Sequence, residues 1–143
     1  MTYINPVVSS ICQLLREVHT IAIVGLSPNS ARPSFRVGHF LQQTGYRIVP
    51  VHPQIDTVLG EQAYADLESI PFPVDIVEVF RTPEHVPAIV ESCITLEIKN
   101  LWLQDGVIHE KSALRAVQAG MTVVMDRCMA RDTQMCNARS QHV

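Results

Sequence analysis

Val7, Ile11, Leu14 and Val18 recur at i, i+4, i+7 and i+11, with polar residues on the opposite side; the spacing predicts a leading helix over residues 7–18. The pattern then changes. Thr20-Ile21-Ala22-Ile23-Val24-Gly25 is a short apolar run without alternation, which predicts a strand covered on both faces, as in parallel sheets. Residues 34–44 place Val37, Phe40 and Leu41 on one face and stop at Gly45, where a left-handed residue closes a helix. Tyr46–Val51 reads as a second strand, ended by Pro50-Val51-His52-Pro53 because proline has no amide to give a central ladder.

Gly60–Tyr64 predicts a short edge strand and Ala65–Ile70 a brief helix closed by Pro71-Phe72-Pro73. Val74–Phe80 is another strand, after which Thr82 serves as helix N-cap and Pro83 as the first helical residue. Val86, Ile89, Val90, Cys93 and Ile94 then share one helix face. Asn100–Gln104 predicts a further strand, Glu110–Ala119 a helix ending at Gly120, and Thr122–Met125 the last strand. From Arg131 the chain is polar and expected to be loose. The alternation of strand, loop and helix, without internal repeat, predicts an α/β fold: a Rossmann-like three-layer sandwich around one open parallel sheet of five to six strands, joined by right-handed crossovers.

Composition narrows this picture. The 143 residues, 47% hydrophobic and 17% charged, suit a single packed domain over residues 1–143. Eleven Lys and Arg against fourteen Asp and Glu give a net charge of −3, which argues against a nucleic-acid partner. The start lacks the marks of a signal peptide and no apolar stretch is long enough for a bilayer, so no membrane partner and a cytoplasmic location are expected. Cys12, Cys93, Cys128 and Cys136 have no CxxC spacing, and reduced thiols are expected. The six histidines, His142 among them, show no HExxH pattern, so no metal site is expected. Asp75 and Glu78 interrupt an apolar strand and Asp126 follows another, without a nucleophile and base to support a named reaction. Arg47, at the start of its strand, is expected to be solvated.

In such sheets ligands lie beyond the carboxyl ends of strands where the strand order reverses, here between the strand ending at Gly25 and the strand ending at Phe80. The loop from Gly25 to Ser34 enters a helix whose first amides have no internal partner and attract phosphate. Gly25 allows close approach, Ser27 and Ser34 offer hydroxyls, and Arg32 offers a planar fork. An ordinary turn rich in Ser, Pro and Asn is the competing reading. The dinucleotide fingerprint G-x-G-x-x-G fails, because Ser27 and Ser30 stand where its later glycines belong. Val51-His52-Pro53 also stands where the ribose-binding acid belongs, so NAD is disfavoured and a ribose carrying an extra phosphate fits better.

On the segments Ile21–Pro28, Arg32-Pro33-Ser34, Gly45–Val51, Val74–Arg81 and Met125-Asp126-Arg127-Cys128, the chain resembles stand-alone CoA-binding proteins, over residues 10–130. The module is similar to the N-terminal domain of the succinyl-CoA synthetase alpha subunit. The resemblance implies that Gly25, Leu26, Ser27, Arg32 and Ser34 surround the pyrophosphate of coenzyme A, while Pro50, Val51, His52 and Pro53 border its adenine and ribose. Phe80, Arg81 and Pro83 would line the other wall, and Trp102 and Gln104 would meet the pantetheine arm, unless Trp102 is simply core. Two departures stand out. Met129-Ala130-Arg131 follows Cys128 where the family continues into proline. The synthetase also needs a phosphorylated histidine domain and an ATP-binding subunit, so its ligase activity is not carried over.

The resulting expectation is a non-catalytic module that binds CoA or acyl-CoA and senses it, buffers it or modulates a partner enzyme. An NADP-dependent reductase and an interaction scaffold with an empty cleft are the alternatives. Cys128, beside Arg127, is either a thiol placed for a mixed disulfide with CoA or a small packing residue.

Overall fold

A computed structural model describes residues 2–140, so His142 lies outside the described residues. The chain runs α1 (Val8–Glu17), β1 (Thr20–Val24), α2 (Pro33–Thr44), β2 (Arg47–Val51), β3 (Thr57–Val58), β4 (Glu61–Gln62), β5 (Ile76–Val79), α3 (Val86–Thr95), β6 (Asn100–Leu103), α4 (Glu110–Gln118), β7 (Thr122–Met125) and α5 (Met129–Ser140). Five strands form a parallel sheet in the order β2-β1-β5-β6-β7. The result is a Rossmann-like α/β fold.

The two-sided burial expected of β1 extends across the sheet because helices cover both faces. Ile21, Ile23, Ile48, Ile76, Trp102 and Val124 turn to the face packed by α1, α2 and α5. Their neighbours Ala22, Val24, Val49, Val77, Leu101 and Val123 turn to the face packed by α3 and α4. Apolar residues therefore occupy successive strand positions, and period-two alternation vanishes. Helix α2 begins at Pro33, whose missing amide costs nothing there. It ends at Gly45, with φ at +114°, where Gly45 N–H reaches Gln42 O and Tyr46 N–H reaches Leu41 O.

Several expectations need correction. The predicted edge strand at Gly60–Tyr64 is instead the return arm of a small antiparallel hairpin, β3 with β4, followed by a parallel bridge from Tyr64 to Val51. The brief helix after it is one 3₁₀ turn, Leu67–Ser69, capped by Asp66 accepting from Ser69 N–H. Thr82 precedes a 3₁₀ turn, Pro83–His85, and its side chain makes no capping bond. Arg47 is exposed, yet its guanidinium lies 3.9 Å over the Phe72 ring.

The described part of the tail expected to be loose, residues 131–140, belongs to helix α5. Met129, Asp132, Thr133 and Cys136 are buried at i, i+3, i+4 and i+7, a helical period hidden because two of the four are polar. Packing α5 along α1 also brings Cys136 to Cys12, and the two form a disulfide across 124 positions of sequence. The expectation of four reduced thiols fails because residue spacing carries no information about which helices become neighbours. Cys93 and Cys128 remain free.

The margin of β7 is also covered. Asn5 donates to Met125 O at 2.9 Å and accepts from Met125 N–H at 2.8 Å, while Tyr3 O–H donates to Val123 O.

Candidate functional site

The chain leaves β1 toward β2 on one side, and the next strand to join the sheet, β5, lies on the other side of β1. This reversal opens a crevice at the carboxyl ends of β1 and β5. Gly25 closes β1 there with φ at +89°, and a Cβ at this position would lie 2.6 Å from Phe80 O and 3.0 Å from Arg81 Cδ. Both conformation and space demand glycine. Hydrogen bonds from Gly25 N–H to Val51 O, 3.0 Å, and from Phe80 N–H to Val24 O, 2.9 Å, lock three strand ends around it.

The loop after Gly25 is ordered by its own side chains. Ser34 Oγ accepts from Ser27 N–H at 3.0 Å, Ser27 Oγ accepts from Asn29 N–H at 3.1 Å, and Asn29 Oδ1 accepts from Ala31 N–H at 3.0 Å. The Ser27 and Ser34 hydroxyls, expected to meet a phosphate, thus each accept from an amide of the loop. Leu26 is 0% exposed and its side chain belongs to the core, a correction to its placement around a ligand. Arg32 stands exposed immediately before the first turn of α2, outside the ion pairs of the described residues. Gly38 lets α2 settle close to the sheet: an added Cβ would meet Leu26 at 3.2 Å and Ile23 at 3.4 Å.

Pro50 and Val51 are buried in β2, and their neighbourhood is fixed by Tyr64 N–H donating to Pro50 O and His52 N–H donating to Tyr64 O. His52 is half-buried at the strand end, with Nδ1 accepting from Gln54 N–H at 3.1 Å; Pro53 is exposed beside it. Phe80, Arg81 and Pro83 are half-buried on the other wall. The Arg81 guanidinium reaches His85 Nε2 at 3.0 Å.

Two hollows meet at Arg81. One, of about 170 Å³, opens on the α3 side between Val24, Val51, Pro53, Leu67, Arg81 and Ile89. The other, of about 480 Å³, opens between the start of α2 and the ends of β5 and β6, against Pro33, Val37, Phe80, Arg81, Gln104 and Cys128. Gln104 is buried in that wall, its Oε1 accepting from Met129 N–H at 2.9 Å. Trp102 is not in it. Its ring is 0% exposed and its indole N–H donates to Arg127 O at 2.8 Å, so it is core, and the assignment to a pantetheine arm is corrected. Neighbouring strand positions point to opposite faces, and only those at the very end of a strand reach the crevice.

The sequence pattern of the CoA binding domain matches residues 19–134. The chain belongs to the CoA binding domain family. YneT of Bacillus subtilis (strain 168) is 38% identical over 125 residues, 87% of this chain and 93% of that protein. A hypothetical protein from Pyrococcus horikoshii OT3 has the same fold at a TM-score of 0.89 and 29% identity, over 96% of this chain and 99% of its own. The ADP-forming acetate–CoA ligase II of Archaeoglobus fulgidus is 29% identical over 82 residues, 56% of this chain and 12% of the ligase.

Within this CoA binding domain, sequence reasoning missed part of the crevice. Val37, Asp105, Gly106 and Val107 line the larger hollow beside Cys128, which the sequence had offered as a thiol near CoA, and Leu67 and Ile89 line the smaller. The loop after β6 had a usable signal, since it follows Gln104 at the same end of the sheet. Leu67 and Ile89 had none, because they reach the site through the packing of separate turns. Among the described residues no group of three or more His, Cys, Asp or Glu is placed to hold a metal ion, and no helix is long and apolar enough to cross a membrane.

Proposed function

We propose that this domain binds coenzyme A or an acyl-CoA across the crevice, with the pyrophosphate at the Gly25–Ser34 loop and the start of α2. The observation that carries this reading is the pair of hollows meeting at Arg81 beside Gly25. A long ligand with a charged centre and two dissimilar ends fits that plan. The adenine end occupies the smaller hollow near Val51, His52 and Pro53. The pantetheine arm, an apolar chain interrupted by amides, runs along Val37, Phe80 and Val107 toward Gln104 and Cys128. Arg32 and Arg81 stand on either side of the central charge, where a guanidinium fork suits phosphate oxygens. The acetate–CoA ligase that contains a similar segment supports CoA as the ligand, and nothing at the crevice favours the NADP alternative.

The role is binding or regulation, alone or beside a partner enzyme. The polar side chains around the crevice hold the fold: Gln104 supports the first amide of α5, Ser34 supports the loop, and Arg81 lies on His85. Titration calorimetry tests the assignment. CoA binding is expected, tighter than that of dephospho-CoA, and Arg32→Ala is expected to weaken it by roughly tenfold, the scale of one charge-assisted contact. Equal affinity for CoA and dephospho-CoA removes the role given to His52, and absence of CoA binding overturns the reading.

A further inference from the structure

We propose that the Cys12–Cys136 disulfide is a reversible tie, opened by a small anionic thiol, that sets the strength of CoA binding at the crevice; this rests on the CoA reading above. Helix α5 is anchored at its start and again two turns along. At its start, Met129 N–H is held by Gln104 Oε1 at 2.9 Å, Arg131 pairs with Asp105 at 2.9 Å, and Arg127 pairs with Asp132 at 2.6 Å. Gln104 and Asp105 belong to the wall of the larger hollow. Two turns later Cys136 is joined to Cys12 of α1. Among the described residues, α5 buries Met129 and Cys136 beside the polar Asp132 and Thr133 and half-buries Met135 against the core, so the covalent bond adds to a modest hydrophobic grip.

Both cysteines are buried, and one of them borders open space. Cys136 lines a separate cavity of about 470 Å³, beside Arg16, His19 and Tyr46, at the end of the sheet opposite the crevice. Among the described residues its lining includes no carboxylate, while Arg16 and His19 supply positive or proton-donating groups. These features suit a small thiol that carries carboxylates. Its thiolate forms a bond to Cys136 Sγ as the Cys136–Cys12 bond breaks, and the electron pair leaves on Cys12, which takes a proton from water. A second thiolate attacks the small thiol's sulfur in that mixed disulfide. This releases the small thiol as its own disulfide and returns Cys136 as a thiol after protonation. With the tie open, α5 frays from its far end, and Gln104 and Asp105 lose fixed partners in the wall of the hollow.

The test uses desulfo-CoA, which carries no thiol and so neither opens the disulfide nor captures Cys128. Unfolding the air-oxidised protein without reductant should expose two thiols, Cys93 and Cys128; four exposed thiols overturn the proposal. Calorimetry should then show desulfo-CoA binding on the order of 5- to 10-fold more weakly after reduction with glutathione and removal of the excess under nitrogen, within the usual range of coupling between sites. Cys12→Ser should match the reduced protein and be indifferent to glutathione. Equal affinity in the two redox states, or an oxidised-like affinity in Cys12→Ser, overturns the tie and leaves the CoA reading standing. Absence of binding in both states removes the CoA reading and the proposal with it.

Discussion

Glu78 lies in the middle of β5, in register with Ile23 of β1 and Trp102 of β6. It is 0% exposed, and neither carboxyl oxygen has a hydrogen-bond partner. Burial pushes its pKa up from 4.5 to about 8, so the folded protein holds a proton that the unfolded chain releases near pH 4.5. The stability it permits is therefore fully present below pH 4.5 and is lost as pH rises through about 8. Thermal unfolding of the wild type should show a fall in stability of roughly 2–5 kcal/mol from pH 5 to pH 9. Glu78→Gln should flatten that slope and be the more stable protein at pH 9; an unchanged slope would contradict the protonated state. Gly25 poses the reverse situation, since it has no side chain and the fold leaves no room for one. Gly25→Ala should cost about 2–3 kcal/mol in denaturant unfolding, from the positive φ and the approach to Phe80 O together. Gly25 was legible because a glycine that ends an apolar strand marks a sharp turn of the backbone at the sheet's edge. The sequence left Trp102 open between core and ligand wall and gave no sign of the solitude of Glu78, because both depend on which face of the sheet each residue meets.

Helix α5 shows how an element escapes a hydrophobicity pattern. Its inward positions include Asp132 and Thr133, and Asp132 is tolerated there because the Arg127 guanidinium meets both its oxygens, at 2.6 and 3.0 Å. Removing the carboxylate leaves a partly covered cation without its counter-charge. Asp132→Ala should cost about 2–3 kcal/mol in chemical denaturation, and a loss under 0.5 kcal/mol would mean that the pair adds no more than a surface one. The other helices were legible from side chains at helical spacing, and α2 also from Gly45 at its end. The hairpin β3–β4 and the 3₁₀ turns are too short for periodicity to register, and their boundaries follow local hydrogen bonds such as Asp66 with Ser69.

For the molecule as a whole, the strand order decides where a ligand can lie. The sequence already contained the alternation of strands and helices, and with it the expectation that a crevice opens beside Gly25 and Phe80. The far wall of that crevice and the pairing of Cys12 with Cys136 arise from contacts between distant segments, which no local spacing encodes. Ligand binding provides a test at this scale, because a molecule that spans both hollows stabilises only the folded chain. CoA at a hundred times its dissociation constant should add about 2.7 kcal/mol to unfolding, seen as a rise in melting temperature. A fragment limited to the adenine end should add less at the same concentration.

The segment around Tyr3 and Asn5 has a bearing on how copies of the molecule meet. Asn5 offers Met125 the same donor and acceptor pair that a sixth ribbon would, and at the far border the bridge from Tyr64 occupies Val51. An exposed ribbon border is a template for runaway stacking between neighbours. With a side-chain amide plugging one flank and a hairpin guarding the other, crowding such molecules together need not seed fibrils.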